Sequence, residues 1–339
     1  MSEYEGTRFK GGLPDYLIRH TTFRQMQIFE AVIRRGSFTK AAEELFLTQP
    51  TVSTQFKKLS DAMDIPLIDQ SGRNLKPTEA GEELYRTVRA IFDSLSDLDT
   101  RVAELKGLKR GRLRLAVVST AKYFAPEILG DFSRLYPGVD VSLKVTNREK
   151  IVGRIQENSD DLYILGQQFT KEPNIQSYYF APNPLVVIAS KDNPLVQESN
   201  ISVKRLAEES FIAREVGSGI RDAAFKLFAE HDCVPKIRME LGSNEAIKHA
   251  VVGGLGVAVL SLHTLSLDGT NGPFEVLDVK GFPLSRKWHL VHRKDKELSK
   301  IASTFLEFAR ANEESITKRM EDLYEQFAQR HKTRRLGNS

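Results

Sequence analysis

The 339-residue sequence has a single cysteine, Cys233. That excludes an internal disulfide and a cysteine-rich zinc site, and it fits a reducing, cytoplasmic setting. Long hydrophobic runs are missing too. The longest, AVVGGLGVAVLSL from Ala250, is too short and too rich in glycine to span a bilayer, so no membrane contact is expected. The opening MSEYEGTRFKGGLPDYLIRH has no apolar core and does not read as a secretory signal. The seven histidines are scattered. His289 and His292 fall three apart in an apparent strand, hence on opposite faces, which argues against a metal site. Enzyme motifs are lacking as well. GSG at Gly217 is not the G-x-S-x-G elbow, and GGLG at Gly253 is neither a Walker A loop nor G-x-G-x-x-G. No catalytic residue, metal or cofactor is therefore predicted. Neither sign of charge dominates: 49 basic against 45 acidic residues leave +4, a weak pointer toward nucleic acid.

What is present begins with LTQPTVSTQFKKL, from Leu47. Val52, Phe56, Leu59 and Met63 are spaced 4, 3 and 4, one apolar helical stripe. Thr48 suits the N-cap and Pro50 then falls in the first turn, where its missing N–H costs nothing. Gln49, Pro50, Thr51, Ser53, Thr54, Lys57 and Lys58 lie largely off the stripe. Two helices precede it, TTFRQMQIFEAVIRR, ended by Gly36, and SFTKAAEEL, capped by Ser37. Only Phe46 and Leu47 separate the second of these from Thr48, so the arrangement is helix, tight turn, polar-faced helix. Such a helix places Gln, Ser, Thr and Lys against base edges and phosphates. A plain three-helix bundle with a solvated face is the alternative. PLIDQSGRNLKPT, from Pro66, reads as two short strands around Ser71-Gly72, and Arg73 in that hairpin suits a wing on the phosphate backbone.

Beyond Thr78 a long helix is predicted. Leu84, Val88, Ile91, Leu95, Leu98, Val102 and Leu105 repeat at 4, 3, 4, 3, 4 and 3, a heptad seam that points to dimerisation. Packing of this helix on its own domain is the alternative. A two-fold dimer predicts a palindromic operator.

From Gly111 strands and helices alternate, which predicts α/β lobes with mainly parallel sheets. Ser119 and Thr120 end the first strand and open a helix; Gly217 and Ser218 precede another helix start. Free N–H groups and hydroxyls at two such starts suit an anion, with ordinary capping as the alternative. Asn244 opens a further helix, where capping explains it equally well. Lys122, Arg148, Arg214 and Arg221 lie nearby and would suit a phosphorylated ligand, unless they are solvated surface charges. The tail ITKRMEDLYEQFAQRHKTRR is an amphipathic, charged helix, expected to be a solvated extension and not a second DNA contact.

GSFTKAAEELFLTQPTVSTQFKKL, with the hairpin and TEAG behind it, resembles the winged helix-turn-helix of LysR-type transcriptional regulators. The likeness runs from about Phe23 to about Arg310. VVSTAKYFAPEILGDF, VTNRE, REVGSGIRDAAFKLF, GSNEAIKHAVVGGLGVAVLSLHTL and GFPLSRKWHLV resemble the CbbR regulators of carbon-fixation (Rubisco) operons and their bicarbonate-transport relatives. The family usually has Phe-x-Arg at the wing, where this chain has Ile68 and Gln70, so one customary charge is absent.

The resemblance implies a multidomain α and α/β chain. It comprises a winged helix-turn-helix (20–78), a coiled-coil linker helix (79–107) and a two-lobed sensor like periplasmic binding proteins (108–310); the charged helical tail (311–339) is longer than most in the family. Lobe I would take 111–172 and 277–310, and lobe II 173–276. It adds Thr146 and Asn147 as effector contacts, and an effector that is a small anion, a phosphorylated metabolite or NADPH. Its implied partners are promoter DNA with an interrupted inverted repeat, RNA polymerase, and further copies of the chain as homodimer or homotetramer. Ligand in the cleft would alter the lobe angle and, through the dimers, the DNA bend. Two other readings stand beside this one: a LysR-type regulator sensing a non-phosphorylated carboxylate, and a small-molecule-binding protein that binds no DNA.

Overall fold

Capping residues set the first three helices. In α1 (Phe23–Arg35) the Thr22 hydroxyl accepts from the Gln25 amide at 3.2 Å and the Gln25 side chain accepts from the Thr22 amide at 2.8 Å, a reciprocal capping box. Gly36 ends the helix at φ 60°, a conformation that costs glycine nothing. Ser37 caps α2 (Phe38–Leu45), and Thr48 caps α3 (Gln49–Met63) with Pro50 in its first turn. The structure, a computed structural model, describes residues 19–69, 75–105, 111–166 and 174–337. Contacts divide the chain into two compact units between Asp99 and Thr100.

In the N-terminal unit, Ile28, Phe29, Val32, Ala41, Ala42, Val52, Phe56 and Leu59 form one core. Phe56 is its hub, with ring centroids 5.6 Å from Phe29 and 5.2 Å from Phe38. Phe23 occupies the first helical position of α1 and is 60% exposed. Strands β1 (Ile68–Asp69) and β2 (Lys76–Pro77) pair antiparallel, as the hairpin reading expected. Thr78 then starts α4 (Glu79–Leu105), its hydroxyl accepting from the Gly81 amide at 3.1 Å. A Cβ on Gly81 would sit 2.0 Å from the Leu67 carbonyl oxygen, so only glycine lets the helix approach the strand this closely.

The heptad seam divides. Leu84 and Val88 are buried in the N-terminal unit's own core, so these two belong to the domain and not to a dimer seam. Their reason is geometric: the helix starts beside the hairpin, and its first three turns join Leu67 and α1 in one core. Ile91 is half-buried, whereas Leu95, Leu98 and Val102 are 42%, 56% and 37% exposed. The side chain of Leu105 lies outside the described residues.

The C-terminal unit has two lobes. Lobe I holds a five-stranded sheet in the order β4 (Val139–Thr146), β3 (Gly111–Val118), β5 (Leu162–Leu165), β12 (Lys287–Arg293), β6 (Ile175–Pro182). Helices α5 (Ala125–Leu135), α6 (Arg148–Gln156) and α10 (Lys300–Ala311) accompany it. Lobe II contains β10 (Ala258–Ser261), β7 (Leu185–Ser190) and β11 (Phe274–Val276) in one sheet. It also contains the pair β8 (Ser210–Arg214) and β9 (Lys236–Leu241), with α7 (Val203–Ala207), α8 (Gly219–Glu230) and α9 (Asn244–Val252).

Three expectations are corrected here. The sheets are mixed: β3 runs parallel to β4 and β5, but β12 is antiparallel to β5 and β6, and β7 is antiparallel to both its neighbours. The lobe boundaries shift as well. Residues 175–182, assigned to lobe II, form a lobe I strand along β12, and the return falls after Leu284, which still bridges Leu185. The chain thus crosses at 183–184 and again at 285–286, where two antiparallel neighbours leave one sheet together. Finally, the tail is no solvated extension. As α11 (Glu313–Gly337) it buries Ile316, Met320, Leu323 and Phe327 to 8% exposure or less. Spacings of 4, 3 and 4 give it an apolar stripe between its charges. No helix among the described residues is long and apolar enough to cross a membrane.

Candidate functional site

The first candidate surface is α3. Thr48, Gln49, Pro50, Thr51, Ser53, Thr54, Lys57 and Lys58 are all exposed, while Val52, Phe56 and Leu59 face inward. Gln55, between the two faces, is half-buried and accepts from Gln25 Nε2 at 3.3 Å, which ties the helix to α1. No acidic residue sits in the first turn of α3, so no side chain of that turn offsets the partial positive charge of its N-terminus. Hydroxyls, an amide and two ammonium groups on one convex face can hydrogen-bond base edges and neutralise phosphates. Arg73, and Gln70 with it, lie outside the described residues.

The second is the cleft between the lobes, with about 820 Å³ of empty space counting its open mouth. Of the residues predicted for an anionic ligand, Ser119, Thr120, Asn147, Arg148, Arg214, Gly217 and Ser218 line it. Lys122, Thr146, Arg221 and Asn244 do not. Lys122 lies over the Tyr123 ring at 4.9 Å. Thr146 is the last residue of β4, next to the lining Asn147. Arg221 is engaged by Glu240 at 2.6 Å and by the Arg214 carbonyl at 2.7 Å. Asn244 does not cap α9, a task taken by Ser243; its side chain bridges instead, accepting from Arg214 and donating to Thr120 Oγ1 at 3.4 Å.

The helix starts are partly as expected. Ser119 and Thr120 open only a five-residue 3₁₀ turn (Ser119–Tyr123), which offers hydroxyls and amides but little dipole. Lobe I contributes a true α-helix start at α6, where Asn147 both lines the cleft and caps the Lys150 amide at 3.0 Å. In lobe II the start of α8 faces the cleft. Gly217 takes φ +84°, which turns the chain into the helix, and buried Ser218 makes no capping bond, so its hydroxyl is left for the cleft.

Several bonds cross between the lobes. Tyr123 donates to Glu245 at 2.6 Å, Arg214 Nη2 to Ser119 Oγ at 3.4 Å, and Arg148 stands 3.6 Å from Asp222. Burial and then the Glu245 carboxylate push the Tyr123 hydroxyl pKa up, so this proton stays in place. Burial works against ionised Glu245, but its bonds from Tyr123 and Lys248 prevail and lower its pKa.

Sequence reasoning missed the floor. Arg286 from the second crossing and Trp288 from the start of β12 line the cleft with Asn183 from the first crossing. Arg286 is half-buried and donates to the Gly166 carbonyl at 3.2 Å, and it forms no salt bridge among the described residues. Burial lowers its pKa; Asp222 opposes this and the Arg148 charge adds to it. Arg214, by contrast, is held by Glu215 at 2.7 and 2.9 Å. Three arginines (148, 214, 286) face two carboxylates (Glu149, Glu215), so the lining carries net +1 before helix dipoles. Trp288, the chain's one tryptophan, is 1% exposed.

Residues 106–314 match the family model described as the LysR substrate binding domain, and residues 23–82 match the bacterial regulatory helix-turn-helix protein, lysR family. The chain is 48% identical over 300 residues to the HTH-type transcriptional activator CmpR of Synechocystis, covering 88% of this chain and 98% of that one. It is 46% identical over 291 residues to the RuBisCO operon transcriptional regulator of Acidithiobacillus ferrooxidans, covering 86% and 94%. Among solved structures it is similar to the Synechocystis CcmR regulatory domain in complex with 2-PG, at 50% identity and TM-score 0.57. That match covers 60% of this chain and 97% of the other.

Proposed function

This chain belongs to the LysR family of transcriptional regulators, and on that premise we propose that it reads promoter DNA through α3 and answers to a small phosphorylated carboxylate in the cleft. Gln49, Ser53 and Thr54 are the base-reading candidates, with Lys57, Lys58 and the wing residue Arg73 on phosphates. The name of one relative, a RuBisCO operon regulator, supports a role in carbon fixation, and the CcmR complex supports a ligand of the 2-phosphoglycolate kind. Carriage of signal to the promoter would run through a second copy of the chain, an interrupted inverted repeat and RNA polymerase. The exposed Leu95, Leu98 and Val102 offer the remaining seam for that second copy.

Arg286 is the observation that carries the effector reading. A half-buried guanidinium that forms no salt bridge among the described residues, at the base of a cleft flanked by two helix starts, is arranged for an anion that arrives from outside. Phosphate would take Arg286 and Arg148; a carboxylate would take Ser119, Thr120 and the Ser218 hydroxyl. The test is calorimetric titration of the full chain with 2-phosphoglycolate, glycolate and inorganic phosphate, paired with binding to its own upstream DNA across a salt series. Tightest binding of 2-phosphoglycolate, with a changed DNA affinity, supports the reading. Equal binding of a non-phosphorylated carboxylate would move the protein to another regulon, and equal affinity for random DNA would remove the role given to α3.

A further inference from the structure

We propose that the C-terminal helix α11 is a brace across the lobe hinge, holding the sensor closed and thereby setting its affinity for effector; the affinity part rests on the cleft being the effector site. The family model stops at residue 314, the second residue of the helix that does this work. The first apolar residue of the stripe, Ile316, is part of the lobe I core with Phe132 and Phe305. The next three, Met320, Leu323 and Phe327, are part of a lobe II core with Ile188, Leu260 and Phe274. One rigid helix therefore contributes to two cores that belong to different lobes.

Its charges repeat the division. Arg319 is bonded to Glu127 on α5 of lobe I. Arg330 lies 3.3 Å from Glu275 on β11 of lobe II, a carboxylate almost entirely removed from water. A buried carboxylate needs a cation, so loss of Arg330 would be felt in lobe II.

The helix also lies where rotation would occur. It packs along β6, the strand that runs into the first crossing, and against the 3₁₀ turn Leu262–Leu265. From that turn, His263 Nε2 meets the Pro182 carbonyl at 2.9 Å, at the crossing itself. Changing the angle between the lobes would shear Ile316 from one core or the other three side chains from theirs. Packed cores resist such sliding, so the docked helix favours one angle. The angle seen with α11 docked is the one in which Tyr123 reaches Glu245 and Thr120 reaches Asn244. Docking of α11 and closure of the cleft are thus coupled, and by reciprocity a ligand that closes the cleft tightens the helix.

The experiment uses the full-length protein with Leu323→Ala/Phe327→Ala, which loosens the helix from lobe II. Hydrogen exchange is followed at the inter-lobe contacts (residues 119–123 and 243–248), with β7 as the internal control. Trp288 fluorescence reports binding of 2-phosphoglycolate. The brace predicts exchange at the contacts faster by about tenfold, β7 unchanged, and Kd for 2-phosphoglycolate weaker by about tenfold. In the wild type, the same ligand should slow exchange of the amides from 320 to 330. Contacts and affinity like wild type, or exchange raised throughout β7 because α11 is only part of the lobe II core, would overturn it. Should the double variant not fold, Arg330→Gln is read out in the same way. If the wild type does not bind 2-phosphoglycolate, the effector reading fails, and exchange at the contacts alone decides the brace.

Discussion

Replacing Arg286 by methionine separates binding from folding. In the folded protein Arg286 donates to one carbonyl, that of Gly166, at 3.2 Å. Loss of a bond of this kind costs about 1 kcal/mol net, and relief from half-burying a guanidinium offsets part of that. Melting of the C-terminal unit should therefore move by no more than about 2–4 °C. Ligand affinity should respond far more. Hydrogen bonds to a charged group contribute about 1.5–3 kcal/mol, which corresponds to a loss of about tenfold to 150-fold in Kd for 2-phosphoglycolate. Arg286→Lys keeps the charge but not the planar fork and should fall between. The pH dependence has a definite sign. A phosphate monoester loses its second proton near about pH 6, so wild-type affinity should rise from pH 5 to 7.5, and the rise should flatten in Arg286→Met. Calorimetry on the full chain gives all these numbers. Unchanged affinity in a folded Arg286→Met protein would refute the assignment of the phosphate to this arginine.

Other outcomes follow from the same geometry. Gln49→Ala or Ser53→Ala should leave melting unchanged, since both side chains are exposed, while gel-shift affinity for the specific promoter falls by about 1–3 kcal/mol. Lys57→Ala should lower affinity for all sequences and reduce the salt slope by about 1. Leu95→Asp should dissociate a dimer in sedimentation without unfolding either unit, because Leu95 is exposed; Val88→Asp, at full burial, should unfold the N-terminal unit. Glu44, bonded by Arg34 and Arg35, has its pKa lowered to about 2 from 4.5. A folded pKa below the unfolded one stabilises above about pH 4.5 and is lost as pH falls toward about 2, so Glu44→Gln should flatten that limb of an acid titration of the N-terminal unit followed by circular dichroism.

Local signals make much of the fold legible in the sequence. The N-terminal helices announce themselves through caps at Thr48, Ser37 and Gly36 and through stripes at period 3.6. Ser218 and Gly217 are visible because a strand turns there into a helix within a few residues. Arg286 carries no such mark. It becomes a cleft residue only because β12 returns 120 positions after Gly166, and a long-range antiparallel pairing leaves no trace in a short window. The same blindness put residues 175–182 in the wrong lobe. The tail was misread differently. Its stripe at Ile316, Met320, Leu323 and Phe327 was in plain view, but charge on the remaining faces argued for solvent, and periodicity says that a helix has an inner side without saying what lies against it. Leu84 and Val88 teach the same lesson, since a heptad is satisfied equally by a second chain or by the domain at its own end.

Gly81 also constrains how such a protein can change over time. A methyl group at this position would overlap the Leu67 carbonyl oxygen by more than an ångström of contact distance, and the obstacle is backbone, which no rotamer change relieves. The helix that carries Leu84 and Val88 into the core is seated here against the backbone just before β1. The exposed side chains of α3, proposed to read DNA, can change while the domain stays folded. Even the mildest substitution at Gly81 would lift the helix from the Leu67 backbone and loosen the whole domain, so that outer face is free to drift where its seating is not.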